Sequence, residues 1–246
     1  MFFGFFWGDW SVLILIPAMI FAVWAQFKVK STFDKYDKIN TMRRMTGADA
    51  ARRILDQNGL FDVKVEYVRG HLNDHYDPKA KVIRLSDATY GSVSVAALGV
   101  AAHEAGHAVQ HATGYFPIKV RGAIIPVTRI GSMMAMPLFF IGFLLTGYLS
   151  ASVDPIFGEY LMFGGIVLFS LSTLFQLVTL PVEFNASKRA LETLESSGYL
   201  YDEEIKGARK VLSAAAMTYV AALATSLASL LRLILLASGA SGRRRR

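Results

Sequence analysis

Four long apolar runs dominate the chain, and their lengths predict helices that cross a lipid bilayer. Residues 10–27 contain no charged side chain and are followed by lysines. Residues 130–149 and 156–180 are two further runs, joined by a short link. Because about 20 apolar residues in an α-helix cross a hydrocarbon core, the pattern predicts a membrane anchor followed by a transmembrane hairpin.

The fourth run, residues 211–236, is richer in alanine and serine and carries Arg232 near its end. It predicts either a fourth span or a helix that packs partly against protein, which gives three to four transmembrane helices.

The first run could instead be a cleaved signal, since residues 23–25 loosely resemble a cleavage site. No positively charged segment precedes that run, so we expect a retained anchor.

Between the first two spans, the pattern becomes that of a small folded domain. Spacing and alternation predict a helix, two strands and a second helix, at residues 48–58, 63–68, 81–85 and 93–113. Thr46 is the candidate N-cap of the first helix, and Gly114 ends the second one. We therefore expect a compact α/β domain whose last helix is rich in alanine.

Composition supports a membrane protein and narrows its chemistry. Of the 246 residues 53% are hydrophobic, and the mean hydropathy of +0.38 suits lipid contact better than an ordinary soluble domain. The absence of cysteine excludes disulfides, thiolate ligands and a cysteine nucleophile. Although the net charge is +7, basic residues cluster beside the apolar runs, so we expect membrane-flanking charge and no nucleic-acid binding.

The helix at residues 93–113 carries an HExxH motif, HEAGH. One helical turn separates His103 from His107, which places both imidazoles on one face with Cβ atoms about 5–6 Å apart. One Zn²⁺ can bind both rings at about 2.0–2.1 Å from each nitrogen. Glu104 is rotated by about 100°, so its carboxylate can act as a general base on water without occupying the metal. The alternative is a helix with two incidental histidines, which the helical context disfavours.

A catalytic zinc site needs three protein ligands and one open position, so a third ligand must come from elsewhere. His111 shares the helix face but lies about 12 Å from His103 along the axis, too far for the same ion. The metzincin arrangement needs a histidine where this chain has Thr113, which excludes it. Glu183, just after the third apolar run, is the best candidate, although a glutamate that opens a helix also suits capping.

Three separated segments carry motifs of one known family. They are GHLNDHYDPKAKVIRLSD, AAHEAGHAVQHATGY and LPVEFNASKRAL, at residues 70–87, 101–115 and 180–191. Together they resemble the YugP-like family of bacterial membrane neutral zinc metallopeptidases, over most of the chain. The resemblance implies a gluzincin-type site in which a glutamate from a later helix, here Glu183, completes the coordination. Glu183, Ala186 and Ser187 form an ExxAS pattern, which is similar to the ExxAD pattern of the HtpX and CAAX-protease group. Because Ser187 stands where that group has an acidic residue, the contact between that residue and a ligand histidine is not carried over to this chain.

Other residues are candidates for contacts to the metal site or to substrate. His75 and Tyr76, in a polar loop, could donate to the oxyanion of a tetrahedral intermediate, or the loop could merely turn the chain. Arg189 could hydrogen-bond a ligand carboxylate or a substrate carbonyl, or be a surface charge. Zincins commonly place an edge strand for extended substrates before the motif helix, and we expect peptide binding at Val82, Ile83, Arg84 and Leu85.

The charges that flank the spans predict the topology. Asp9 precedes the first span and four lysines follow it, so the positive-inside rule places the catalytic domain in the cytoplasm of a multi-pass plasma (inner) membrane protein. The link that contains Asp154 then lies outside the cytoplasm. The third span brings the chain back, so Glu183 lies on the same side of the membrane as His103. A full fourth span would put the arginines at residues 243–246 outside, so either that segment is no simple span, the tail is tolerated, or the orientation is inverted.

The sequence therefore predicts an α-helical membrane protein with a small α/β zincin-like catalytic domain. Residues 1–27 are the anchor, 28–121 the catalytic domain, 122–180 the hairpin, 181–210 a helix region with the third ligand, and 211–246 a membrane helix with an arginine-rich tail.

The expected function is a zinc-dependent endopeptidase acting on membrane or membrane-proximal proteins, with Glu104 as general base. An intramembrane site-2-type protease would need an LDG-like motif, which the sequence lacks. A membrane scaffold or assembly partner with a structural zinc would need four protein ligands where three are identifiable.

Overall fold

The computed structural model describes residues 10–147 and 154–242, which are mostly helical. A 3₁₀ turn at Trp10–Ile14 leads into the first helix. The helices of the described residues are α1 (Leu15–Asp37), α2 (Gly47–Gln57), α3 (Val95–Ala112), α4 (Phe116–Gly147), α5 (Pro155–Ser196) and α6 (Asp202–Gly242). The strands β1 (Lys64–Tyr67), β2 (His75–Asp77) and β3 (Val82–Leu85) lie between α2 and α3 in sequence. Asp9 and the arginine tail, on which part of the predicted topology depends, lie outside the described residues.

Four helical segments are long and apolar enough to cross a membrane. They are Trp10–Asp37, Phe116–Gly147, Ile156–Ser196 and Asp202–Ala240. At most 28% of the most apolar stretch of any of them is buried, so most of this apolar surface can face lipid. Each of the four apolar runs of the sequence therefore belongs to a helix of membrane-spanning length, including the run with Arg232.

The described residues form two compact units. The helical unit comprises residues 10–24, 120–147, 154–178 and 219–242, and the mixed unit comprises residues 25–119 and 179–218. In the helical unit, Phe139, Met162 and Leu233 are buried together. Gly142 lets α4 approach α5 closely, because a methyl group there would meet the backbone nitrogen of Met162 at 2.6 Å. Such contact through small residues is typical of membrane helices, which gain little from the hydrophobic effect against each other.

The mixed unit begins its globular part with α2, which has a capping box at its start. Thr46 Oγ1 accepts a hydrogen bond from the Asp49 N–H (3.1 Å), and the Asp49 carboxylate accepts one from the Thr46 N–H (3.3 Å). These contacts satisfy two backbone donors that the first turn leaves without partners. The helix predicted with Thr46 as its cap is thus confirmed, and its apolar face buries Ile54 and Leu55 completely or nearly so.

The sheet has the order β1-β3-β2, with β1 and β3 parallel and β2 and β3 antiparallel. Ile83 and Leu85 are fully buried, and α3 packs against both β2 and β3. The prediction that Val82, Ile83, Arg84 and Leu85 form an edge strand is wrong, because β1 and β2 pair with both sides of β3. The polar loop expected at His75 and Tyr76 is also wrong, since both residues belong to β2.

The helix that carries Glu183 is continuous. α5 runs from Pro155 to Ser196 with Pro181 inside it, so Glu183 lies in the helix interior. The prediction that Glu183 opens a new helix is therefore wrong, and the capping role that was its alternative does not apply. The turn that follows Ser196 ends where α6 begins at Asp202.

Candidate metal centre

The HExxH motif lies in the middle of α3, a helix with small residues on its buried sides. Ser94 caps its start by accepting a hydrogen bond from the Ala97 N–H (3.1 Å). Ala101, Ala102, Ala105 and Ala108 are at most 1% exposed. Because alanine side chains are short, neighbouring elements can approach the backbone of α3 closely. The histidines therefore project from a rigid helix that is packed on several sides.

Three side chains converge on one point beside this helix. Nε2 of His103 lies 3.3 Å from Oε2 of Glu183, and Nε2 of His107 lies 3.5 Å from the same oxygen. The two imidazole rings are 4.7 Å apart between centroids. Among the described residues these three are the one group whose potential ligand atoms all lie within 4.8 Å of one another. The sequence prediction of Glu183 as the partner of the histidine pair agrees with this placement.

The spacing and chemistry of the group suit zinc. Ligand atoms at about 2.0–2.1 Å from a tetrahedral zinc are about 3.3–3.4 Å apart, close to the separations between Glu183 and the two histidines. Two neutral imidazoles and one carboxylate are a known ligand set of catalytic zinc sites. Glu183 is 2% exposed, whereas the side chains of His103 and His107 are 15% and 12% exposed. The carboxylate is thus buried, and the histidine side of the group remains accessible.

The electrostatic environment of the group favours a positive charge. Burial alone would lower the pKa of His107, but the hydrogen bond to Glu183 and the negative charges of Glu104 and Glu183 outweigh it, so the pKa is raised. The same two carboxylates would attract a metal cation at this position. A buried carboxylate facing two histidines without a cation or proton between them would be costly.

Each ligand histidine has a polar partner on its other ring nitrogen. Nδ1 of His103 lies 3.1 Å from Oγ of Ser187, and Nδ1 of His107 lies 3.0 Å from Oε1 of Gln110. Such partners orient metal-binding imidazoles and leave Nε2 for the ion. Sequence analysis identified Ser187 only as a departure from the ExxAD pattern, and it missed Gln110. The position of Gln110, three residues after His107 on the same helix, is a signal that could have identified it.

The close crossing of α3 and α5 depends on Gly106. A methyl group on Gly106 would lie 2.8 Å from the carbonyl oxygen of Ala186, well inside van der Waals contact. Ala186 is one helical turn from Glu183 on α5 and is fully buried. The small residue within the motif therefore allows the glutamate to reach the histidine pair.

Glu104 lies beside the group without belonging to it. It is 8% exposed and its charge acts on His107, but its carboxylate is not among the converging ligand atoms. No side chain or backbone group of the described residues donates a hydrogen bond to it. A carboxylate that has free lone pairs and lies beside such a group can accept a proton from water.

His75 and Tyr76, which the sequence offered as candidates for oxyanion contacts, lie on β2. His75 Nδ1 contacts the Asn73 carbonyl oxygen (2.9 Å), and His75 Nε2 lies 3.5 Å from Arg84 Nη1. Tyr76 packs its ring against His111, with centroids 5.6 Å apart, so it lies one turn beyond His107 on the same face of α3. Burial raises the pKa of the Tyr76 phenol, which keeps it a neutral donor.

Arg189 does not contact the ligand group directly. Its Nε donates to Oδ1 of Asn185 (2.8 Å), and the same oxygen accepts a hydrogen bond from Gln110 Nε2 (3.0 Å). Arg189 is therefore connected to His107 through two intervening side chains. A role for Arg189 at a substrate carbonyl stays a prediction.

Comparison with known proteins gives two matches that cover nearly the whole chain. Residues 11–238 match a protein family described as "Putative neutral zinc metallopeptidase". The chain is also 49% identical over 225 residues to "Putative membrane protease YugP" of Bacillus subtilis (strain 168), which covers 92% of this chain and 95% of that protein. No solved structure matches, so no structural neighbour bears on the expected zincin-like fold.

Proposed function

We propose, from the premise that this chain belongs to the neutral zinc metallopeptidase family, that it is a membrane-embedded endopeptidase with one zinc held by His103, His107 and Glu183. The observation that carries this proposal is the convergence of two Nε2 atoms on one buried carboxylate oxygen, at separations close to those between two ligands of a tetrahedral zinc. Zinc bound there would supply Lewis-acid chemistry that polarises a peptide carbonyl and activates water.

Glu104 is the proposed general base. Its carboxylate accepts a proton from the water whose oxygen attacks the scissile carbonyl carbon. It then returns that proton to the nitrogen of the leaving amine as the C–N bond breaks. Its position next to the ligand group, with no hydrogen-bond donor in the described part of the chain, supports this role.

The three-ligand set favours a catalytic site over a structural one. A structural zinc is usually held by four protein ligands, whereas a catalytic zinc keeps one position open. Within residues 10–147 and 154–242, three ligand groups converge and no fourth joins them. The partial exposure of the two histidines supports access for water and substrate. This distinguishes the proposal from a membrane scaffold or assembly partner with a structural zinc.

The peptide substrate is proposed to lie along β2 rather than β3. β2 is an edge of the sheet, it packs against α3, and its Tyr76 lies on the ligand face of that helix. An extended peptide can add to such an edge through main-chain hydrogen bonds. Peptides that are N-methylated at single backbone positions should therefore show an increased KM. An unchanged KM at every position would count against this placement.

The proposed substrates are membrane or membrane-proximal proteins, and the proposed location of the site is cytoplasmic. The four apolar helices and the lysines that follow the first apolar run support this location. The chain has no cysteine, so a single Lys79→Cys variant, at an exposed position, offers one thiol for labelling. An impermeant maleimide should label it only after cells are permeabilised. Labelling of intact cells would mean that the site faces the outside and that the proposed orientation is inverted.

The central experiment combines metal analysis with cleavage of a casein-type substrate by the purified full chain. Wild type should contain one zinc per chain and cleave the substrate. Glu104→Gln should keep its zinc and lose turnover, whereas Glu183→Ala should lose both. Wild-type protein without stoichiometric zinc, or cleavage that survives in Glu104→Gln, would refute the proposal. Zinc without cleavage in wild type would favour the scaffold.

A further inference from the structure

Gln110 connects one proposed zinc ligand to the helix that carries another. Its side chain is fully buried and lies between α3 and α5. Oε1 lies 3.0 Å from Nδ1 of His107, while Nε2 donates to the carbonyl oxygen of Val182 (2.8 Å) and to Oδ1 of Asn185 (3.0 Å). Val182 is the residue directly before Glu183. One amide group thus contacts His107 and the backbone next to Glu183.

These contacts determine which way the amide is turned. The Val182 carbonyl oxygen can only accept a hydrogen bond, so the Gln110 atom that faces it must be the NH₂ group. Arg189 Nε donates to Asn185 Oδ1, which fixes that atom as an acceptor and gives the second Gln110 N–H its partner. Oε1 must then face His107. A carbonyl oxygen cannot donate, so it accepts from a protonated Nδ1 of the imidazole.

The consequence concerns the histidine tautomer. A neutral imidazole with its proton on Nδ1 has its lone pair on Nε2, the atom that faces Glu183. Ser187 cannot impose the same choice on His103, because a hydroxyl group can either donate or accept. Of the two histidines, His107 is therefore the one whose tautomer the surrounding protein dictates.

We propose that Gln110 is a positioning residue for metal binding. It holds His107 as the Nδ1–H tautomer with Nε2 directed at the ion, and it fixes α5 so that Glu183 meets the same ion. This inference rests on the proposed function, since it concerns the same zinc site. It adds a residue outside the HExxH motif that sets the position of two of the three ligands.

The test compares zinc affinity with the stability of the metal-free protein. Gln110→Met keeps the side-chain length but has no amide, so zinc should bind about 10–100-fold more weakly, as is usual when such a partner is removed. Gln110→Glu keeps an acceptor for Nδ1–H and loses both donors to α5, so it should recover only the part of the affinity that depends on the His107 tautomer and bind zinc with an affinity between those of Gln110→Met and wild type. Both variants should lower the Tm of the metal-free full chain.

Ser94→Ala is the matched control. Ser94 caps the same helix, and its loss should lower the Tm without a change in zinc affinity. Affinity is measured by competition with a chelator, independently of peptidase activity.

The outcomes separate this inference from the function on which it rests. Weak zinc binding in Gln110→Met, with an affinity in Gln110→Glu that lies between those of Gln110→Met and wild type, supports the positioning role. Wild-type affinity in Gln110→Met, or a Gln110→Glu variant as weak as Gln110→Met, would overturn this inference while leaving the zinc site intact. Wild type that binds no zinc would overturn both.

Discussion

Substitution of the glycine within the zinc motif tests the geometry of the site most directly. In Gly106→Ala the added methyl carbon would lie 2.8 Å from the carbonyl oxygen of Ala186 and 3.4 Å from its carbonyl carbon and Cα. Ordinary contacts begin near 3.4 Å, so α5 must move away by about 0.6 Å at this crossing. The obstacle is backbone, which cannot rotate aside as a flexible side chain could.

That displacement is large for a metal site. Glu183 is one turn from Ala186 on the same rigid helix, so its carboxylate would move with the crossing. Metal–ligand distances vary by only about 0.2 Å around their usual values, so a shift of about 0.6 Å disrupts the coordination by Glu183. We expect zinc to bind at least about tenfold more weakly, which corresponds to about 1.4 kcal/mol. The kcat/KM should fall by up to about 100-fold, as with comparable misplacements in other enzymes.

The matched control is Gly99→Ala on the same helix. A methyl group there would meet the Cβ of Ala208 at 3.5 Å, an ordinary contact. Since alanine favours a helix over glycine by about 1 kcal/mol, this variant should unfold at a higher temperature and keep its zinc. In Gly106→Ala the same gain is opposed by an overpacking cost of about 1–3 kcal/mol.

The measurements are a chelator competition for zinc, thermal unfolding of the metal-free chains, and kcat/KM on a peptide substrate. Zinc affinity should fall in Gly106→Ala and stay at the wild-type value in Gly99→Ala. Gly106→Ala with wild-type zinc affinity and wild-type kcat/KM would refute this prediction, because the close crossing would then be irrelevant to the site.

Three further results are expected. Tyr76→Phe should reduce kcat about 100–1,000-fold with little change in KM if its hydroxyl donates to the oxyanion, and equal kcat values would exclude that role. Thr46→Ala should cost about 0.5–2 kcal/mol of unfolding free energy through loss of the capping box, with zinc content unchanged. Removal of zinc by a chelator should lower the Tm of wild type, since free zinc at 100 times Kd contributes about 2.7 kcal/mol, and should not lower that of Glu183→Ala.

The three side chains of the candidate site could be predicted from the sequence more fully than the architecture around them. The histidine pair follows from helical spacing, which depends only on local geometry. Glu183 was identified as a partner by its chemistry and by the resemblance to a family, although it lies eighty residues from His103 in sequence. The proposed ligand set depends on this contact between residues far apart in sequence, and no local pattern could predict the distance between them.

The errors concern contacts that local patterns do not encode. β3 was expected at an edge, but its place in the sheet depends on pairing with β2, a strand of three residues in which alternation cannot be recognised. Pro181 follows the third apolar run, and proline usually ends a helix, so Glu183 was assigned to a new helix. In the structure α5 continues through this proline. Gln110 was missed because its role depends on atoms of α5.

The site contains two carboxylates whose surroundings suit different tasks. Glu183 is 2% exposed and its Oε2 lies within 3.5 Å of Nε2 of both histidines, which suits the proposed role of a ligand. Glu104 is next to His103 in sequence, its carboxylate is not among the converging ligand atoms, and no donor in the described residues holds its oxygens. Enzymes commonly separate the roles of paired acids by such differences in environment. The two carboxylates therefore differ in burial and in their contacts with the histidines, and these differences support the separate roles proposed for them.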